Sequence, residues 1–251
     1  MPHRGEELHH PVQLIPDKEL GLIEARGTRL LQLSSILPTM VNDDGSLLRS
    51  LTSVLGISFV SGINLYAAVL TVGLSLRFGW ISGLPEPMSV LANPIVLIAA
   101  GVMYAAEFAA DKVPFFTPIW DAIHTFIRPL GAALLAWQAA ANLSPAAQLL
   151  AAMAGGSIAL GTHSAKAGFR LAAHSVPEPG THSFISVIED FSVVGILALA
   201  YTHPMVALVV LLVLLVAVGL LLRVFLRALR SAVRRVIGRV QSLLRAQPGA
   251  G

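Results

Sequence analysis

From residue 51 onward, long apolar runs alternate with short polar breaks. The runs cover about 51–76, 94–110, 119–141, 146–173, 184–201 and 205–222. Each reaches the ~17–25 residues with which an α-helix crosses a bilayer. No ten-residue alternation of the kind that marks a membrane β-strand interrupts them. The pattern predicts an all-α membrane protein with about six transmembrane helices. The first 45 residues are polar, with Pro2, Pro11, Pro16 and seven acids, and hold no early apolar core of the secretory type. Within them, 19–40 suits a surface amphipathic helix. The predicted organisation is a tail over 1–46, a membrane domain over 47–222, and a basic amphipathic helix and tail over 223–251.

Composition agrees. Of 251 residues, 55% are hydrophobic and 12% charged, about half the charge of a soluble domain. Mean hydropathy is +0.74. There are no cysteines, which excludes disulfides, thiolate metal sites and cysteine nucleophiles. Charge is uneven. Nothing after Asp190 is acidic, and seven arginines follow Leu222. In the last segment Leu226, Leu229, Val233, Val236, Val240 and Leu243 form one stripe, and Arg223, Arg227, Arg230, Arg234 and Arg239 the opposite one. Such a helix suits anionic lipid head groups, and equally a straight extension of the sixth span. An arginine-rich end and an even number of spans place both termini on the cytoplasmic side of the membrane. Nucleic acid is not an expected partner; a homo-oligomer is compatible.

The chain also repeats itself. "RFGWISGLPEPMS" from Arg77 matches "RLAAHSVPEPGTHS" from Arg170. Pro114 matches Pro204, and Ser61-Gly62 aligns with Ala154-Gly155. The offset stays near 90 residues, dividing the membrane domain into repeats over about 51–141 and 146–222. Three spans per copy invert the second copy, a plan in which sites lie at the repeat interface near the midplane. A purely structural duplication gives the same pattern.

The polar residues fall in stripes. Glu107 and Asp111 share a face of the second span; Asp121, His124 and Arg128 share one on the third; His163, Lys166 and Arg170 share one on the fourth; Glu189 and Asp190 lie on the fifth. Charge in a bilayer costs at least ~2.5–3.5 kcal/mol per group. The economical arrangement turns these stripes inward, with Lys166 and Arg128 facing Glu107 and Glu189. Asp111, Lys112 and Arg170 also suit the membrane–water boundary, and Arg77 a helix end. Glu86 and Glu178, each between prolines, suit a turn, a helix cap or a gate. Ser61, Gly62 and Asn64 suit close helix packing, or an unwound segment that offers backbone to a ligand. Glu107, Asp111, Asp121 and His124 are metal-ligand types, but no zinc motif, phosphate loop or nucleophile elbow accompanies them, and no metal or cofactor is called for.

The joint pattern "SGIN", "RFGWI", "E-x-x-A-D-K-V-P", "W-D-A-I-H-T-F-I-R-P", "H-S-A-K-A-G-F-R", "PEP" and "ED" resembles the bacterial integral membrane family called domain of unknown function 4126, over roughly residues 50–225. The resemblance implies a multi-span membrane protein and no particular substrate. Three functions fit the residues. One is a small proton- or ion-coupled permease, with Glu107 and Glu189 carrying protons or a cation, Lys166 and Arg128 balancing them, and His124 relaying protons. Another is a non-transporting scaffold. The third is an intramembrane enzyme on lipid head groups with Asp121 and His124 as acid and base.

Overall fold

The computed structural model describes residues 45–110, 116–173 and 179–245. Six α-helices follow one another: α1 (Ser46–Arg77), α2 (Pro94–Ala110), α3 (Thr117–Ala139), α4 (Pro145–Ala173), α5 (Pro179–Thr202) and α6 (Pro204–Arg245). A 3-10 helix (Glu86–Ala92) precedes α2. No strand occurs among the described residues.

Local chemistry sets the boundaries. α2, α4, α5 and α6 each begin with proline, whose fixed φ and missing N–H suit the first helical position. Asn93 and Ser144 add side-chain caps, accepting from the N–H of Ile95 (2.9 Å) and Ala147 (3.3 Å). Gly79 and Gly83, at φ 68° and 79°, turn the chain out of α1, where a side chain would be strained. The 3-10 helix and α2 meet at 61°. α6 runs unbroken for 42 residues, so the apolar run and the arginine-rich segment are one helix.

From Leu48 onward the chain forms one compact unit. α1 is its central post: 67% of its most apolar window is buried, against 11% for α6. Val54, Ile57, Val60 and Val72 of α1 pack with Ala136 of α3, Val193 and Leu197 of α5 and Leu211 of α6. α3 and α4 form the closest helix pair, and α6 packs on α4 and α5. Two helices, α1 and the Pro204–Arg239 part of α6, are long and apolar enough to cross a membrane; the bent pair around Asn93 makes a third if counted as one span.

The burial pattern is inverted relative to a soluble protein. Arg128, His124, His163 and Glu107 are among the largest fully buried side chains, while Phe126, Leu130 and Leu134 of α3 are 74%, 68% and 67% exposed.

Two glycines allow α1 and α4 to cross closely. A Cβ at Gly62 would collide with Thr162 Oγ1 and lie 2.5 Å from the Ala159 carbonyl oxygen; one at Gly155 would lie 2.8 Å from Ser58 Oγ. Gly62→Ala is therefore expected to cost about 1–3 kcal/mol, as core overpacking does. Adding Thr162→Ala should not restore the loss, because the Ala159 carbonyl remains. Thermal unfolding in detergent checks both; a wild-type melting temperature for Gly62→Ala would contradict this crossing.

Candidate functional site: an ion-pair chain at a broken helix

α1 is broken at Asn64, whose φ of −151° and ψ of 102° are extended. The cause is visible in its side chain. Asn64 Oδ1 accepts from the N–H of Ala67 (2.9 Å), as an N-cap does for a new helix. The break frees carbonyls at the end of the first half-helix. Arg128 Nη1 donates to Gly62 O (3.0 Å) and Ile63 O (2.9 Å), and Lys166 Nζ donates to Ile63 O (2.8 Å). Within Ser61-Gly62-Ile63-Asn64, Gly62 permits close packing, and Asn64 is the residue that leaves helical φ/ψ. The exposed backbone, however, faces the protein's own cations.

Around this break the charges form a chain. Arg128 Nη2 meets Glu107 Oε1 at 2.6 Å. Lys166 Nζ lies 3.8 Å from Glu107 Oε1 and 2.8 Å from Glu189 Oε2. Arg170 Nη2 meets Glu189 Oε2 at 2.9 Å. Each carboxylate thus has its own arginine, and Lys166 is shared. The Glu107 end is almost fully enclosed, while the Glu189 side chain is 16% exposed. Arg170, in the last turn of α4, is a buried member of the chain (6% exposed), because α4 carries it beside Glu189.

Among the described residues this chain joins three cations to two carboxylates. The carbonyl end of the first half-helix supplies roughly half an elementary charge of the opposite sign, aimed at Arg128 and Lys166. The break is thus part of the charge balance.

Histidines frame Arg128. His163 Nδ1 accepts from Arg128 Nη1 (2.9 Å), so its proton sits on Nε2, beside Asp121 O (3.1 Å) and Thr125 Oγ1 (3.1 Å). His124, buried, places Nδ1 on Trp120 O (2.9 Å) and Nε2 on the Tyr66 hydroxyl (3.1 Å), with Trp120 stacked on its ring at 4.5 Å. Ser61 Oγ is buried and makes no hydrogen bond.

The other candidate residues separate from the chain. Asp190 accepts from Tyr104 OH (2.6 Å) and Asn64 Nδ2 (3.1 Å) and faces a groove of about 240 Å³ between α2 and α5. The half-buried Asp121 meets His163 through its backbone, and its carboxylate makes no ion pair among the described residues. Asp111 and Glu178 lie outside the described residues. Glu86 is exposed in the first turn of the 3-10 helix, which has no side-chain cap. Arg223, Arg227, Arg230, Arg234 and Arg239 are exposed on α6, where open clefts of about 420 and 460 Å³ lie among the first four. Among the described residues no group of three or more His, Asp or Glu is placed to hold a metal ion.

His163, Tyr66, Tyr104 and Thr125 were not singled out as site residues from the sequence. His163 shares the i, i+3, i+7 spacing of Lys166 and Arg170, which was a usable signal. The hydroxyl residues gave none, because their partners lie on other helices.

Fold and site define a class: all-helical proteins with two to three helices apolar enough to span a membrane and an ion-pair chain buried inside. The chain belongs to the family described as Domain of unknown function (DUF4126), which matches residues 51–224. No curated protein and no solved structure matches it.

Proposed function

We propose that this protein is a small proton- or ion-coupled permease, threaded six times through a bacterial inner membrane with both termini in the cytoplasm. The observation that carries the reading is Lys166, held between two carboxylates that each also meet an arginine. Such an arrangement has two states. Protonation or cation binding at the more accessible Glu189 removes one of the two attractions on Lys166, which then moves toward Glu107. That weakens the tie between α4 and α5 and takes one of its two donors from the Ile63 carbonyl, which keeps Arg128. A discontinuous helix with carbonyls aimed at charge is a recurring feature of transporter sites.

Burial supports the six-span reading. α3, α4 and α5 have 23, 29 and 24 residues, about 34–43 Å at 1.5 Å per residue, enough for a ~30 Å hydrocarbon core. Of the charges that lower their hydropathy, Arg128, Lys166 and Arg170 are buried and Asp121, Glu189 and Asp190 half-buried, while Phe126, Leu130 and Leu134 face outward. The inverted-repeat reading draws support from Gly62 and Gly155, which align in the sequence and meet at the same α1–α4 crossing. The basic stretch of α6 then faces anionic head groups on the cytoplasmic side.

The test is ion flux in proteoliposomes holding a pH-sensitive dye. Wild type is expected to conduct protons or exchange them for a solute, and Glu107→Gln and Glu189→Gln to reduce flux at least about tenfold with folding retained. A wild type that moves nothing under proton, sodium and potassium gradients would overturn the proposal. A second reading, the scaffold, is favoured by the internal pairing of all five charges of the chain; it expects no flux and strong destabilisation in the same variants.

A further inference from the structure

The groove between α2 and α5 has a wall chemistry that names a ligand. Tyr104, Phe108, Val187, Phe191 and Val194 line it, with Asp190 as its charged member. Tyr104 and Phe108 stack at 6.4 Å, and Phe191 is 74% exposed at the outer surface. Asp190 is the twelfth of the 24 residues of α5, near mid-helix. Among the described residues no cation pairs with it; its recorded partners are a phenol and an amide, both neutral. A carboxylate at mid-bilayer without a cation is costly. Among the described residues its neighbours Glu107 and Glu189 both have protein cations.

We infer that this groove binds an amphiphilic organic cation, a quaternary or tertiary ammonium with an apolar or aromatic body. Asp190 supplies the missing opposite charge. Aromatic faces on both walls attract a cation that is shedding water. The apolar side chains cover its hydrocarbon part, and the opening on the apolar outer surface admits a ligand dissolved in lipid. Head-group ammonium of a phospholipid lies at the interface, half a bilayer from mid-helix, so a free cation is the fitting occupant. Binding is read out directly at the break, because Asn64 donates to Asp190, and the neighbouring Glu189 holds Lys166. The inference deepens the permease reading by naming its substrate class; it rests on that reading for transport and on its six-span placement of α5 for the lipid-facing groove.

The test uses the full chain in phosphatidylglycerol nanodiscs, which contain no ammonium lipid, and titrates benzyltrimethylammonium by calorimetry. Saturable one-to-one binding is expected in wild type. Asp190→Asn, which keeps an acceptor for Tyr104, should weaken it at least about tenfold. Val194→Trp, which fills the groove and leaves Asp190 in place, should do the same, so a folding defect in one variant does not decide the matter. Neopentylbenzene, the uncharged carbon isostere, should not compete. Equal binding by Asp190→Asn and wild type, or full competition by the isostere, would overturn the inference and leave a lipid-filled groove. Asp190-dependent binding without flux in proteoliposomes keeps the inference and removes the permease; proton flux without binding does the reverse.

Discussion

Replacing Arg128 by leucine is expected to destabilise the protein by about 3–5 kcal/mol, the usual cost of stranding a buried charge. Glu107 is 1% exposed and loses its 2.6 Å arginine, with Lys166 3.8 Å away. Gly62 O and His163 Nδ1 lose their donor in the same step. Folded proteins are stable by only about 5–15 kcal/mol, so little Arg128→Leu protein should survive mild heating in detergent. Arg128→Lys should recover little, because one ammonium does not reproduce a planar fork that reaches a carboxylate, two carbonyls and an imidazole. The double variant Glu107→Leu/Arg128→Leu should recover about half the loss or more, since neighbouring effects couple and no stranded carboxylate remains. Equilibrium unfolding measures all three. A loss below about 1 kcal/mol for Arg128→Leu would mean that Glu107 is not enclosed as described.

Lys166→Met should behave in the opposite way. Methionine keeps an unbranched apolar stem, and both carboxylates keep an arginine, Glu107 with Arg128 and Glu189 with Arg170. The cation shared by the two carboxylates is removed, and Ile63 O retains Arg128 Nη1. Stability is therefore expected to change by no more than about 1 kcal/mol, since replacing a buried ion by an apolar group of similar volume is often near neutral. Flux should nevertheless fall at least about a hundredfold, because Lys166 is the charge that exchanges partners. The contrast between Arg128→Leu and Lys166→Met separates a charge that holds the fold from one that works in it. Equal destabilisation by the two would place Lys166 among the structural members.

Much of this architecture was legible because lipid as solvent imposes a simple pattern. Each of the six apolar segments falls on a helix, and the start of α2 at Pro94 follows from proline chemistry alone. The pairing of Arg128 and Lys166 with Glu107 and Glu189 was legible because a charge in a greasy chain has few affordable neighbours. The 3-10 helix at Glu86–Ala92 was not, since seven residues carry no period of their own. The break at Asn64 was only half legible. Its residues suit packing more readily than unwinding, and the groups that meet the freed carbonyls, Arg128 and Lys166, lie 64 and 102 residues further along the chain. The partner of Arg170 was hidden for a related reason: a charge near a helix end suits a membrane boundary and an inward stripe alike until Glu189 is seen beside it. The continuity of α6 was weighed equally against a surface helix, because Gly219 and the switch from apolar to basic sequence give no stop signal of either kind.

The most direct measurement is proton flux through Lys166→Met and wild-type protein reconstituted side by side, with melting temperatures taken on the same preparations. Flux in wild type, and its loss in a variant that melts within a few degrees of wild type, is the expected result. Flux that persists in Lys166→Met would contradict the shared lysine as the moving charge, and a wild type without flux would leave the ion-pair chain as architecture.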